Sequence, residues 1–358
     1  MRNKIVLAIC KIVQLFNFFL GMVVVRIIYS KKAIDLCSYM SDSLERVPQS
    51  YIHCVSKNIR LNGRYPAGRR ICFTTGAERV RIAVLYRRRC LLRNMSYIAT
   101  SGVDVYERRN AHDKWCKCVA PDTPFQMLVS EWLSFDKGLK DIVMYLPPYA
   151  QISKIMLLDK DESVYFRGQV NKRLISVYGS SISQGCSASR PGLAYTNLLS
   201  RYFDADINNC AFSEGARGEK FVIDNVLLSK KSEVIIVEYD HNSSLEEFVE
   251  RHLQVYRWIR EYTDVPVIFL SRISGGLSNS GDENTKRITI IQKTLKYAEE
   301  NNDKKVWFIN GDEIVEDKRD LYLVDDRHPN DLGMKLIADT LSIILREKVF
   351  NLNDKGNA

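Results

Sequence analysis

A chain of 358 residues with 46% hydrophobic and 27% charged side chains can hold two cores and is too apolar to remain disordered. Its formal charge of +9 is uneven: residues 1–170 carry 27 Lys/Arg against 14 Asp/Glu, and the remainder is net acidic. Nine cysteines with no C-x-x-C pair argue against a disulfide framework or a zinc knuckle, and so for a reducing, cytoplasmic compartment.

Residues 1–32 are predicted as an apolar, amphipathic helix. Lys11, Gln14, Asn17 and Arg26 interrupt the apolar run, and the longest uncharged stretch, 12–25, is shorter than the ~20 residues that span a bilayer. Residues 4–29 are expected to lie on a membrane surface or dock on the protein. No small-residue cleavage site follows, which argues against a signal peptide.

Residues 33–168 are predicted as an all-β sandwich. Short β-prone pieces at 70–74, 79–86, 103–106, 125–129 and 141–146 are punctuated by Gly, Pro, Asn and Asp. The alternation Val80-Arg81-Ile82-Ala83-Val84 is that of a strand with one buried face. Residues 51–100 hold eleven basic side chains against one acidic, including Arg87-Arg88-Arg89. With no nucleic-acid-binding signature, this reads as charge guarding strand edges, and no nucleic-acid partner is expected.

Residues 169–351 read as α/β, and 352–358 as a polar tail. Apolar runs at 174–177, 207–212, 234–238, 265–270 and 306–309 alternate with helix-period segments at 195–203, 219–228, 245–262, 286–300 and 332–345. Such alternation implies crossover connections and a parallel sheet covered on both faces. The site of an open parallel sheet lies at the carboxyl ends of its strands.

Three stretches fall at those ends. Tyr178-Gly179-Ser180-Ser181-Ile182-Ser183-Gln184-Gly185 breaks from a strand into a turn that can present a hydroxyl nucleophile. No Lys-Ser/Thr follows Gly185, which excludes a phosphate-binding loop. Tyr239-Asp240-His241-Asn242 follows another strand. Asp325-Asp326-Arg327-His328-Pro329-Asn330 precedes the last helix and puts a carboxylate three residues before an imidazole. Of the five histidines, His252 is expected on a helix surface, and His53 and His112 lie far from the serine turn. Cys186 is expected to serve packing.

These blocks resemble the SGNH/GDSL hydrolases, in the branch with an N-terminal β-sandwich domain. Gly179 to Gly185 matches the block G-D-S-[LI]-[ST]-x-G, which would make Ser181 the nucleophile; Asn242 matches the asparagine block and Asp325 and His328 the D-x-x-H block. Ser180 stands where the family carries aspartate, and Glu214 where it carries glycine, in Asn209-Cys210-Ala211-Phe212-Ser213-Glu214-Gly215. The resemblance implies a flavodoxin-like three-layer hydrolase domain behind a jelly-roll-like sandwich. It also implies a serine esterase that removes a small acyl group, acetyl in particular, from a carbohydrate through an acyl-enzyme on Ser181. His328 would act as base, Asp325 would orient it, and the backbone N–H groups of Ser181 and Glu214 or Gly215, with the Asn242 amide, would hold the oxyanion. No cofactor or metal is implied. The alternatives are an O-acetyltransferase of polysaccharide assembly using the same site, and a catalytically degenerate carbohydrate- or membrane-binding protein.

Overall fold

The computed structural model describes residues 15, 19, 33–40, 43–109, 112–121, 126–159, 167–168, 173–273, 280–316 and 318–352. The predicted N-terminal helix therefore lies almost wholly outside the described residues, as does most of the polar tail. Among the described residues no helix is long and apolar enough to cross a membrane. The chain divides into two units, residues 1–44 with 70–170, and residues 45–69 with 171–358.

Among the described residues the first unit holds ten strands. They are β1 (Ile34–Asp35), β2 (Arg70–Thr75), β3 (Arg79–Arg89), β4 (Val103–Arg109), β5 (His112–Val119), β6 (Met127–Val129), β7 (Leu133–Ser134), β8 (Lys140–Tyr145), β9 (Ala150–Asp159) and β10 (Arg167–Gly168). One sheet has the order β1-β9-β3-β6 with β7 also on β3, the other β10-β2-β8-β4-β5, and every pairing is antiparallel. Ile71 and Phe73 from one sheet and Val80, Ile82 and Val84 from the other share a core, as the alternation of β3 predicts. The pieces named from sequence omit β5 and β9, and the two-residue strands β1, β7 and β10; for β5 the reason is physical. As an edge strand pairing only with β4, it keeps Trp115 half exposed and shows no continuous apolar run.

The second unit contains a five-stranded parallel sheet: β11 (Arg173–Gly179), β12 (Ala205–Ala211), β13 (Val234–Glu238), β14 (Val267–Leu270) and β15 (Val306–Ile309), in the order β12-β11-β13-β14-β15. That is the flavodoxin-like order, and its strands read as unbroken apolar runs because both faces are covered. Ile235, Val237, Val267 and Phe269 face the helices Leu245–Tyr262 and Ser280–Glu300, while Ile175, Val177, Ile207 and Ile236 face Tyr195–Phe203 and Asp331–Ile344. The helix expected at 219–228 is a short turn, Lys220–Val222, running into a π-helical turn, Ile223–Leu227, whose last carbonyl accepts from Asn208 Nδ2 at 3.2 Å.

Two expectations are corrected. Residues 45–69, placed by sequence in the β-rich half, belong to the second unit, where Val47, Ile52, Val55 and Ile59 enter the core beside Phe212 and Phe248. His252, expected at the surface, is 1% exposed. It packs against Phe248 and Phe269, and its Nδ1 sits 2.8 Å from Thr294 Oγ1. Burial pushes its pKa down to about 3, so the ring is neutral.

Candidate active site

Register places the serine turn between two strand ends, since Gly179 pairs with Ala211 on β12 and with Glu238 on β13. Phe212 N–H donates to the Gly179 carbonyl at 2.9 Å, and Ser180 N–H to the Glu238 carbonyl at 2.8 Å. The chain then turns into the four-residue helix Ser181–Gln184, closed by Gly185 at φ 107°. A Cβ on Gly179 would come 2.4 Å from Ser183 Oγ and 2.9 Å from the Glu238 carbonyl, so only glycine permits this tight exit from the sheet.

The turn rests on a buried polar cluster. Ser180 Oγ donates to Glu238 Oε1 at 2.7 Å, Ser183 Oγ to Glu238 Oε2 at 2.6 Å, and the Ser183 and Tyr195 hydroxyls are 2.6 Å apart. Ser180 Oγ also accepts from Ile182 N–H at 3.2 Å, capping the helix. The loss of aspartate at position 180 is thus offset by a carboxyl on the neighbouring strand. Burial first, and Asp240 second, push Glu238 up to about 7. Asp240 is likewise raised by burial, to about 6, although Arg272 N–H donates to it at 2.9 Å.

Ser181, His328 and Asp325 are brought together across 147 residues. Ser181 Oγ is 2.9 Å from His328 Nε2, and His328 Nδ1 is 2.8 Å from Asp325 Oδ2. The loop is held rigidly: Asp325 Oδ1 accepts from the backbone N–H of Arg327 at 2.9 Å and of His328 at 2.8 Å. Val324 N–H donates to the His328 carbonyl at 2.8 Å, and Asn330 caps the helix Asp331–Ile344 through Leu332 N–H and Gly333 N–H. Burial opposes a charge on His328, but the Cys186 sulfur against the ring and the Asp325 carboxylate outweigh it and raise the pKa to about 9. Asp325 lies below the usual carboxylate range, because hydrogen bonds from His328 and Arg327 overcome its partial burial. Cys186 is buried as expected, yet it lies against the imidazole as well as filling space.

The oxyanion side differs from the expectation. Glu214 adopts φ 56°, the left-handed conformation that a glycine would hold without strain. Its N–H donates to Asn242 Oδ1 at 3.1 Å, and Gly215 N–H to the Phe212 carbonyl at 2.8 Å, so both are engaged within the loop. Asn242 Nδ2 spends one hydrogen on the Phe212 carbonyl at 3.0 Å and keeps the other. Ser181 N–H, at the first position of its helix, donates to no acceptor among the described residues. The donors free for an oxyanion are therefore Ser181 N–H and Asn242 Nδ2–H, with Glu214 N–H orienting the amide. Gly215 is glycine for another reason: a Cβ there would sit 2.9 Å from Ile59. The Glu214 carboxylate, exposed, lies close enough to Arg327 to stabilise its charge.

Sequence reasoning assigned no role to Asn62, Gln184, Glu238 or Arg46. Ser180 in place of aspartate was the one signal that could have pointed to Glu238. Nothing local marks the others.

Residues 171–346 match the model of the GDSL-like lipase/acylhydrolase family, and residues 34–163 the model for the N-terminus of Esterase_SGNH_hydro-type proteins. A GDSL-like lipase from Bacteroides ovatus is similar in fold, with TM-score 0.79 and 23% identity over 88% of this chain and 97% of that one. The salicylyl-acyltransferase SsfX3 from a tetracycline biosynthetic pathway gives 0.69 and 16% over 87% and 90%. A family two carbohydrate esterase from Clostridium thermocellum, in complex with cellohexaose, gives 0.58 and 13% over 80% and 94%. At these identities the likeness is one of fold. No curated protein matches the chain.

Proposed function

We propose, for a chain that belongs to the GDSL-like lipase/acylhydrolase family and is a carboxylic ester hydrolase, that Ser181 removes a short acyl group, acetyl in particular, from a carbohydrate hydroxyl. The observation that carries this reading is the contact of Ser181 Oγ with His328 Nε2 at 2.9 Å, backed by Asp325 at 2.8 Å on the other ring nitrogen. Ser181 attacks the ester carbonyl while His328 takes its proton, and Asp325 stabilises the imidazolium. Ser181 N–H and Asn242 Nδ2–H receive the oxyanion. His328 returns the proton to the leaving sugar hydroxyl, and water releases the acyl group by the same path in reverse. Ser181 is only 8% exposed, which suits a short acyl chain. The carbohydrate assignment draws on fold likeness to a carbohydrate esterase bound to cellohexaose.

A second reading, transfer of the acyl group to another hydroxyl, is supported by the same fold in a salicylyl-acyltransferase. The paired Ser181 and His328 give no support to a catalytically degenerate binding protein. The reading includes a jelly-roll-like first unit and a cytoplasmic enzyme whose residues 4–29 meet a membrane surface. Ser181→Ala is expected to lower kcat on an aryl acetate by on the order of 10⁴-fold or more. Turnover equal to wild type would end the assignment, and product analysis with an acceptor sugar separates transfer from hydrolysis.

A further inference from the structure

The stretch 45–69 reaches the site from a distant part of the sequence. Its helix Lys57–Asn62 packs beside the turn that follows β12, and Arg46 seats it there. The buried Arg46 guanidinium donates to the carbonyls of Tyr65, Asn62, Asn209 and Ala211, and to Asn209 Oδ1, and stacks 4.9 Å from the Phe212 ring centroid. Gly68, at φ 74°, brings its backbone against Asn209, where a Cβ would clash at 2.6 Å. The segment is thereby fixed on the end of β12, the strand that leads into Ser213 and Glu214.

At that turn the N–H and the carbonyl of both Ser213 and Glu214 each meet a side-chain amide. Ser213 N–H donates to Gln184 Oε1 at 2.9 Å, and the Ser213 carbonyl accepts from Asn62 Nδ2 at 3.0 Å. The Glu214 carbonyl accepts from Asn58 Nδ2 at 3.1 Å, and Glu214 N–H donates to Asn242 Oδ1 at 3.1 Å. Gln184 Nε2 donates to Asn62 Oδ1 at 3.0 Å, and Asn62 Nδ2 also donates to the Asn58 carbonyl at 2.9 Å. Reversing either buried amide would set oxygen against oxygen and N–H against N–H, so their orientation is determined. Gln184 lies on the nucleophile helix itself, three residues after Ser181.

We propose that Asn62 and Gln184 are positioning residues for the esterase reaction: by fixing the Ser213–Glu214 turn they hold Glu214 left-handed and aim the free Asn242 amide hydrogen at the oxyanion. The segment 45–69 is then part of the catalytic unit, although the β-rich half surrounds it in sequence. The inference rests on the esterase reading and adds to it a requirement for residues some 120 positions before Ser181. A displaced turn would rotate Asn242 away from the developing charge and leave the ground-state complex nearly unchanged. The loss should therefore appear in kcat and not in KM.

The test uses the full-length protein and an aryl acetate. Asn62→Ala and Gln184→Ala are each expected to lower kcat about 10²-fold with KM within about twofold, the scale of a misplaced or lost oxyanion donor. The double variant should lose little more than either single one, because both act on one turn. Affinity for a phosphonate transition-state analogue should fall in step with kcat/KM. Asn58→Ala, at the half-buried edge, should lower kcat about threefold to tenfold without moving the melting temperature, and decides the matter if Asn62→Ala fails to fold. Unchanged kcat in Asn58→Ala and in a folded Asn62→Ala, or a loss confined to KM, overturns the inference while leaving the esterase reading intact. Full activity in Ser181→Ala overturns both.

Discussion

Replacing Asp325 by asparagine separates the two things the carboxylate does for His328. The imidazole can accept the Ser181 proton only when neutral, and its pKa is raised to about 9. At pH 7 roughly 1% of the sites would then hold a neutral ring, against about three quarters for an ordinary histidine at 6.5. In the wild-type protein kcat/KM on an aryl acetate should climb about tenfold per pH unit and level off near pH 9. A carboxylate at hydrogen-bond distance supports a cation by about 1–3 pKa units. Asp325→Asn should bring the midpoint down by that amount, with Cys186 still favouring the charged ring. The plateau should fall about 10⁴-fold, because the Nδ1–H loses the acceptor that fixes its tautomer. The assay is kcat/KM from pH 5.5 to 10, corrected for spontaneous hydrolysis, with circular dichroism at each end. A wild-type midpoint at or below 6.5, or an identical midpoint in the variant, refutes the reasoning.

Two further outcomes follow from the loop and the buried carboxyl. Glu214→Gly should keep kcat within about threefold, since glycine accepts φ 56° freely and the N–H to Asn242 is a backbone group, whereas Glu214→Val should cost about 2 kcal/mol of stability and lower kcat about tenfold; equal activity in both variants would show that the backbone conformation is irrelevant. Glu238, raised from 4.5 to about 7, holds its proton more tightly folded than unfolded, so its stabilising contribution is complete below about 4.5 and is lost as pH rises through 7, a loss of about 3 kcal/mol. The gap between the denaturant midpoints of the second unit at pH 5 and pH 8 should narrow in Glu238→Gln, with Asp240 and His328 supplying what remains, and an undiminished gap would exclude Glu238 as a source.

Much of this was legible because it is local. β11 to β15 announce themselves as apolar runs, and Ser181, Asn242, Asp325 and His328 each lie within a few residues of a strand end or helix start that sequence can place. The register of a parallel sheet then carries them to one rim. What was hidden depends on distant partners. Asn62 looks like any polar residue closing a short helix, and only its contacts with Gln184 and Ser213 give it meaning. Arg46 reads as an ordinary surface cation beside Glu45, yet its guanidinium is buried among four carbonyls. His252 was legible and misread: Phe248, His252, Val255, Tyr256 and Ile259 repeat at helical spacing and are all buried, so its position on the apolar face outweighed its polarity.

The groups beneath and beside Ser181 set stability and activity against each other. Glu238, Asp240 and His328 all bind protons more tightly in the folded chain than in an unfolded one, so each favours the native state most at low pH. The contributions of the two carboxyls are lost between roughly pH 4 and 7, and that of His328 between 6.5 and about 9. The reaction needs the opposite condition at His328, a neutral ring. The proton through which His328 stabilises the folded chain is the one whose departure activates it. Rigid hydrogen bonding around the turn at Ser213 and Glu214 bears on this conflict, because none of those amides titrates. The oxyanion side can thus keep its geometry across the pH range in which His328 changes state, and a strained Glu214 is tolerable there because neutral side-chain amides hold the N–H and carbonyl of both Ser213 and Glu214.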